Sequence, residues 1–346
     1  MDYLKNYKVV VVKRENYVSG VNLALLDICG LNSLEWLKDN FCDAEIVDSV
    51  DFNSLTNTIV LYSDTPLVTV DTINAVLEYI DERELDGAKL PHGYVIGKSV
   101  DLCVGVDIKS HDFIRLEDAL SYAEILRKMG KKINDAHMQK GVFMTDPDTV
   151  YVDKGVVIGE GTIIAPNNKL RGNTVIGDRC RLESGNDLTD TVIGDGVKLT
   201  SVVAIEAKVG DATTVGPYVY LRPNANVGAN CKVGDFVEIK NSNIANGTKV
   251  PHLAYVGDAD VGSGVNVGCG VIFANYDGRK KHRTVVGDKT FIGSNSTLIA
   301  PIEVGEKVFI AAGATISRSI PDGALVIARA RETIKEGRAE NYLKRE

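Results

Sequence analysis

Apolar residues recur every six positions through the second half of the chain. From Ile158 the series runs through Ile164, Leu170, Ile176, Leu182 and Leu188. It slips by one residue, resumes at Ile193, Leu199 and Ile205, slips again and holds through Val209, Val215, Leu221, Val227, Val233 and Ile239. Ile244, Val250 and Val256 follow, then Val261, Val267 and Phe273, and after a longer gap Val286, Ile292, Leu298, Val304, Ile310 and Ile316. Every anchor is Val, Ile, Leu or Phe, and Gly often comes next, as in Ile193-Gly-Asp. A six-residue period fits neither the 3.6 of a helix nor the alternation of a strand. It predicts a parallel β-helix in which each hexad supplies one short strand and one turn. The anchors point inward and stack, and a hexad that cannot bury its anchor alone is stable only in the stack. Three hexads per turn give about nine coils.

Ahead of the repeat the pattern changes. Lys8-Val-Val-Val-Val-Lys13 and Thr58-Ile-Val-Leu-Tyr62 read as buried strands. The stretch from Asn32 to Phe41 reads as a helix capped by Asn32 or Ser33, and Thr69 to Asp81 as a second. Strands alternating with helices predict an α/β layer with a parallel sheet. Tyr94 to Ile108 reads as further strands. Arg115 to Met129 is amphipathic and stops at Gly130, with a connector from Lys131 to Asp148. The expected division is an α/β domain over 1–134, a β-helix over 135–320 and a tail over 321–346 that packs as a short helix or an extended arm.

Composition narrows the function. The chain has 346 residues and a net charge of −8, which argues against nucleic acid as the main partner. Aromatics are only 6%, as suits a narrow prism filled with Val and Ile. No run approaches the roughly 18 apolar residues of a membrane span, and the first residues lack the order of a signal peptide. The six cysteines, among them Cys103 and Cys269, are scattered without a Cys-x-x-Cys pair, which predicts reduced thiols and a cytoplasmic location.

Counting along the coils places chemistry. Arg222 and Lys240 each follow an anchor, with no slip between them, so they stack on adjacent coils about 4.8 Å apart. Two cations so close favour an anion such as a phosphate, although solvated surface charge is the plainer alternative. Glu238 and Tyr255 share one face on adjacent coils. His252, after Pro251, falls level with Cys269 one coil on. An imidazole near a carboxylate is a suitable base near neutral pH; a thiol nucleophile at Cys269 is the alternative. The gap between Phe273 and Val286 extrudes a loop, Asn275-Tyr-Asp-Gly-Arg-Lys-Lys-His-Arg283, able to carry cations to a phosphorylated ligand.

Tyr220-Leu-Arg-Pro-Asn, Gly234-Asp-Phe-Val-Glu-Ile-Lys240, His252-Leu-Ala-Tyr-Val-Gly-Asp258, Val265-Asn-Val-Gly-Cys-Gly270, Asn275-Tyr-Asp-Gly278 and Ile292-Gly-Ser294 resemble the acetyltransferase half of the bifunctional N-acetylglucosamine-1-phosphate uridyltransferase/glucosamine-1-phosphate acetyltransferase family. The resemblance runs from about Asp135 to Arg338. It implies a left-handed parallel β-helix, a homotrimer with sites between subunits, and acetyl-CoA as co-substrate, with no metal needed for acetyl transfer. It further implies His252 as general base, with Glu238 orienting or polarising the site and Asn275 beside the reacting groups. Arg222, Lys240, Tyr255, Asn266 and Lys281 would hold the sugar phosphate. Cys269, Asn275, Tyr276, Ser294, Ala312 and Arg329 would lie along acetyl-CoA, with Cys269 standing where the family carries Ala.

The first half resembles a truncated nucleotidyltransferase. Asn22-Leu-Ala-Leu-Leu-Asp-Ile-Cys-Gly30 is similar to the segment after that family's triphosphate loop, and Val60-Leu-Tyr-Ser-Asp-Thr-Pro-Leu67 to the strand whose Asp holds Mg²⁺, here Asp64. The Gly-rich loop that would cradle phosphates is replaced by Lys13-Arg-Glu-Asn-Tyr-Val-Ser-Gly20. Asp64 then reads as a turn residue at a strand end. The expected activity is acetyl-CoA-dependent N-acetylation of glucosamine 1-phosphate or a close amino-sugar phosphate. The rivals are a sugar-1-phosphate uridyltransferase with an accessory β-helix and a non-catalytic trimeric sugar-phosphate-binding scaffold.

Overall fold

The computed structural model describes residues 3–98, 111–339 and Leu343. Contacts divide the chain into two compact units: Met1–Val157 with Ala165–Asn173, and Ile158–Ile164 with Thr174–Glu346.

In the first unit, β1 (Lys8–Val12) is the β-branched run, with all four valines buried. It pairs in parallel with β2 (Glu45–Val47) and β3 (Thr58–Tyr62). α1 (Ser33–Asn40) starts at Asn32, whose side chain accepts from Glu35 N while Glu35 reaches back to the Asn32 amide. α2 (Val70–Glu82) starts on a similar box at Thr69. Leu37, Ile59, Leu61, Ile73 and Val76 close one core, each burial being worth about 1.5–3 kcal/mol. The sheet is not wholly parallel. β4 (Gly87–Leu90) and β5 (Gly93–Ile96) form a tight hairpin, and β5 runs antiparallel to β3, giving the order β2-β1-β3-β5-β4. A two-residue turn at Pro91–His92 can join only antiparallel neighbours. Residues 99–108 of the further strands expected after Tyr94 lie outside the described residues, as does Cys103.

The helix expected to stop at Gly130 continues: α3 runs Ala119–Gln139. Gly130 has open space around it, and Asn134 is buried with its amide donating to the Pro147 and Val150 carbonyls at 2.9 Å. That packing outweighs the roughly 1 kcal/mol cost of an internal glycine. A domain boundary after residue 134 would therefore cut a helix.

The second unit is a parallel β-solenoid of hexapeptide repeats, matching a left-handed β-helix. It has three faces. The first carries strands such as Asn226's Ala225–Val227 and Ala259–Val261, the second Lys232–Asp235 and Lys249–His252, and the third Val219–Leu221, Glu238–Lys240 and Tyr255–Gly257. The expected anchors are buried with one exception. At Ile205 the inward residue is its neighbour Ala204, which pairs in register with Leu188 and Leu221. The repeat passes residue 320: Leu325–Val326 pairs with Phe309–Ile310. Residues 328–339 of the tail contain neither helix nor strand. Among the described residues no helix is long and apolar enough to cross a membrane.

Candidate active site

The third face gathers a cluster of cationic side chains. Tyr220 pairs with Glu238 and Leu221 with Ile239, which puts Arg222 beside Lys240 on the next coil. Glu238 lies level with Tyr255, and Lys240 with Gly257. Arg222 donates to Glu238 at 2.7 Å, and that hydrogen bond raises its already high pKa. Lys240 is lowered from the ordinary lysine value, first by Lys281 beside it, then by desolvation and Arg222, with Asp258 opposing. Gly257 is buried beside them. A Cβ there would meet the Tyr255 hydroxyl and the Asn275 amide. Asn275 is 7% exposed; its amide donates to Asp258 Oδ2 at 2.5 Å and to the Tyr255 hydroxyl at 3.3 Å. The other Asp258 oxygen accepts from Asn241 at 2.5 Å.

The 275–283 loop closes on itself. Tyr276 bridges Lys281. Asp277 accepts from the backbone amides of Lys280 and Arg279, each at 2.8 Å, and contacts His282 at 2.7 Å. These contacts hold its carboxyl down to about 2. Arg283, expected among the cations facing a ligand, is turned to the first face instead. It donates to Asp260 and to the Asn241 and Ala259 carbonyls, the carbonyl bonds both 3.1 Å. A bidentate carboxylate match is the stronger partner for a guanidinium.

His252 stands at the end of a second-face strand, and the carboxylate it meets is Asp235, not Glu238. Nδ1 lies 2.6 Å from Asp235 Oδ1, and the two residues are in cross-strand register. Asp235 was not singled out from the sequence, although the coil count that aligned Glu238 with Tyr255 also aligns Asp235 with His252. The nearby Asp258 and Asn241 were likewise missed, one coil below Asn275 and two below.

From His252 a column of small residues follows the solenoid axis. Gly270 N donates to Leu253 O, Asn295 N to Cys269 O and Gly313 N to Ser294 O, so Cys269, Ser294 and Ala312 stand level above His252 on successive coils. Arg329 donates to the Ala312 carbonyl at 2.6 Å. Asn266 stays apart from the third-face group: it lies on the second face, level with Lys249 and Phe291.

The repeats match the family described as "Bacterial transferase hexapeptide (six repeats)" at residues 151–186, 206–241 and 283–318. Proteins named "Bifunctional protein GlmU" are similar over longer stretches. The one from Clostridium acetobutylicum is 46% identical over 232 residues, covering 67% of this chain and 51% of its own length. That from Enterococcus faecalis is 48% identical over 231 residues, covering 66% and 50%. The chain is a homologue of the bifunctional GlmU proteins. It spans about half the length of these curated GlmU relatives. Among solved structures, a UDP-N-acetylglucosamine acyltransferase from Campylobacter jejuni overlaps 52% of this chain and 65% of its own at 18% identity, with a TM-score of 0.24, too loose to align residues.

In this GlmU homologue Asp64 does not fit a metal. It is 5% exposed, and its carboxylate is taken up by His92 Nε2 at 2.9 Å and Arg115 Nε at 3.4 Å. Burial alone would raise its pKa; the His92 hydrogen bond and charge, with Arg115, outweigh it and leave the group lowered. The His92 ring and the Arg115 guanidinium stand where a divalent ion would need free oxygens. Among the described residues no group of three or more His, Cys, Asp or Glu side chains is arranged to hold a metal ion.

Proposed function

We propose that the chain transfers an acetyl group from acetyl-CoA to the amine of glucosamine 1-phosphate or a close amino-sugar phosphate. The observation that carries this reading is the cationic cluster of Arg222, Lys240 and Lys281 level with Gly257, one corner from the His252 imidazole. Three cations against two carboxylates, Glu238 and Asp258, leave a net positive charge suited to a phosphate. Homology to bifunctional GlmU proteins supports the same chemistry.

In the step, the neutral sugar amine attacks the thioester carbonyl and the C–N bond forms. His252 Nε2 takes the amine proton. The tetrahedral intermediate collapses, the C–S bond breaks, and CoA leaves as a thiolate that receives a proton to give the free thiol. Acetyl-CoA would run along the Cys269, Ser294 and Ala312 column, whose small side chains leave room for an extended arm, with Arg329 toward its far end. Tyr255 and Asn275 would face the sugar, and Tyr276 the acetyl group. Asn266, on the second face, would reach a sugar phosphate only from a neighbouring copy, which accords with a homotrimer. The exposed corner row Tyr218, Phe236 and Leu253 is an apolar surface for such contact.

Free thiol released from acetyl-CoA, followed colorimetrically, tests the reading. Release should require glucosamine 1-phosphate and should vanish in His252→Ala. A variant that keeps the wild-type rate would remove His252 as the base, and release without an amino-sugar phosphate would remove the acceptor.

A further inference from the structure

On the second face of the solenoid the strands are two residues long, except at one place. Lys232–Asp235 and Lys249–His252 each run to four residues, whereas their neighbours Thr214–Val215 and Asn266–Val267 keep two. The extra length carries both strands to the corner and brings Asp235 level with His252. Two residues make this possible. Gly234 leaves room for the Pro251 carbonyl, against which any Cβ would collide. Pro251 fixes φ immediately before His252 and has no N–H to pair.

The contact is chemically specific. An ionised carboxylate has only acceptors, so the Nδ1 that it meets at 2.6 Å carries the proton. Asp235 stays ionised, held down first by the His252 hydrogen bond and then by its own backbone amide, with Lys232 contributing. In the neutral imidazole, a proton on Nδ1 leaves Nε2 with its lone pair, the form a general base needs. Glu238 does not supply this: it stands on the third face, level with Tyr255, and bonds Arg222.

We propose that Asp235 is the positioning residue of this site: it locks His252 in the Nδ1–H tautomer and aims Nε2 at the acceptor amine. The proposal rests on the reading of His252 as base. The two acidic residues of one coil divide the work, with Asp235 serving the proton and Glu238 serving the phosphate side through Arg222.

Asp235→Asn tests it, since an amide keeps the shape yet can donate as well as accept, so the tautomer is no longer fixed. With glucosamine 1-phosphate and acetyl-CoA as substrates, kcat should fall about 10- to 100-fold while both KM values stay within about twofold. In protein labelled with ¹⁵N-histidine, the His252 signal, assigned by its loss in His252→Ala, should move from a single Nδ1–H form to a mixture. The spectrum needs no turnover and so reads the tautomer even in an inactive variant. Wild-type kcat with an unchanged tautomer overturns the proposal, and so does a loss confined to KM. If His252→Ala itself retains activity, the reading of His252 as base fails, which is a separate outcome from an inactive His252→Ala beside a fully active Asp235→Asn.

Discussion

Lys281, carried on the extruded loop, lies against Lys240 and holds its pKa below the ordinary lysine value, with desolvation and Arg222 adding to the effect. An anion arriving among these cations favours the charged form of Lys240. Binding of glucosamine 1-phosphate should raise the Lys240 pKa, so binding takes up protons at alkaline pH, below the usual lysine value of about 10.4. Calorimetry at about pH 9 in two buffers of different ionisation enthalpy measures the uptake. Lys281→Ala should reduce it, because it removes the main cause of the shift, and should raise KM for the sugar phosphate about tenfold. Equal heats in both buffers would rule out Lys240 as the responding group.

Gly257 is required for what stands above it rather than for its own backbone angle. Its missing side chain admits the Tyr255 hydroxyl and the Asn275 amide at a position level with Lys240. Gly257→Ala should overpack the Tyr255 and Asn275 side chains at a cost of about 1–3 kcal/mol. The expected readout is a KM for the sugar phosphate raised about tenfold or more, with KM for acetyl-CoA little changed. Equal increases for both substrates would assign the cationic cluster to the wrong ligand.

The sequence made the solenoid legible because the anchor position is filled by a large apolar side chain at nearly every hexad, and a register of such positions repeats in plain view. It failed at Ala204, a small anchor that looks like a surface residue beside the larger Ile205. The same count exposed the Arg222–Lys240 and Glu238–Tyr255 levels, yet it passed over Asp235, since a carboxylate in a surface turn is ordinary until its cross-strand neighbour is considered. The first hairpin strand, Gly87–Leu90, was missed because Gly-Ala-Lys-Leu lacks β-branched residues, and pairing with its own continuation, not local propensity, makes it a strand. Gly130 misled for the opposite reason: tertiary contacts of α3 override a local stop signal.

Arg283 ties the base of the 275–283 loop to the first face through Asp260 and two backbone carbonyls. Arg283→Ala should leave the solenoid folded and lower stability by only about 1 kcal/mol, because the ion pair is partly exposed. The loop should lose its fixed base. Limited proteolysis should then cut within 275–283 faster than in wild type, and Lys281 should contribute less to binding, so KM for the sugar phosphate rises. Unchanged proteolysis with unchanged KM would mean that the Asp277 contacts alone hold the loop.

Asp64 joins the β4–β5 hairpin, through His92, to the segment carrying Arg115. Its carboxyl is lowered in the fold, so the stability it contributes is present above the unfolded aspartate value of about 3.9 and is lost as pH falls through the lower folded value. Asp64→Asn should cost the first unit about 1–3 kcal/mol near neutral pH, and the gap to wild type should narrow as pH drops below about 4. Hydrogen exchange at the β1 and β3 amides, followed from pH 7 to pH 3, measures this without requiring the two units to unfold together. The same pairing predicts the fate of the uridyltransferase reading. With His92 and Arg115 on its oxygens, Asp64 has no vacancy for Mg²⁺, and pyrophosphate release from UTP should stay at background in wild type and in Arg115→Ala alike. Activity gained in Arg115→Ala would instead mark the arginine as a plug in a site that still works.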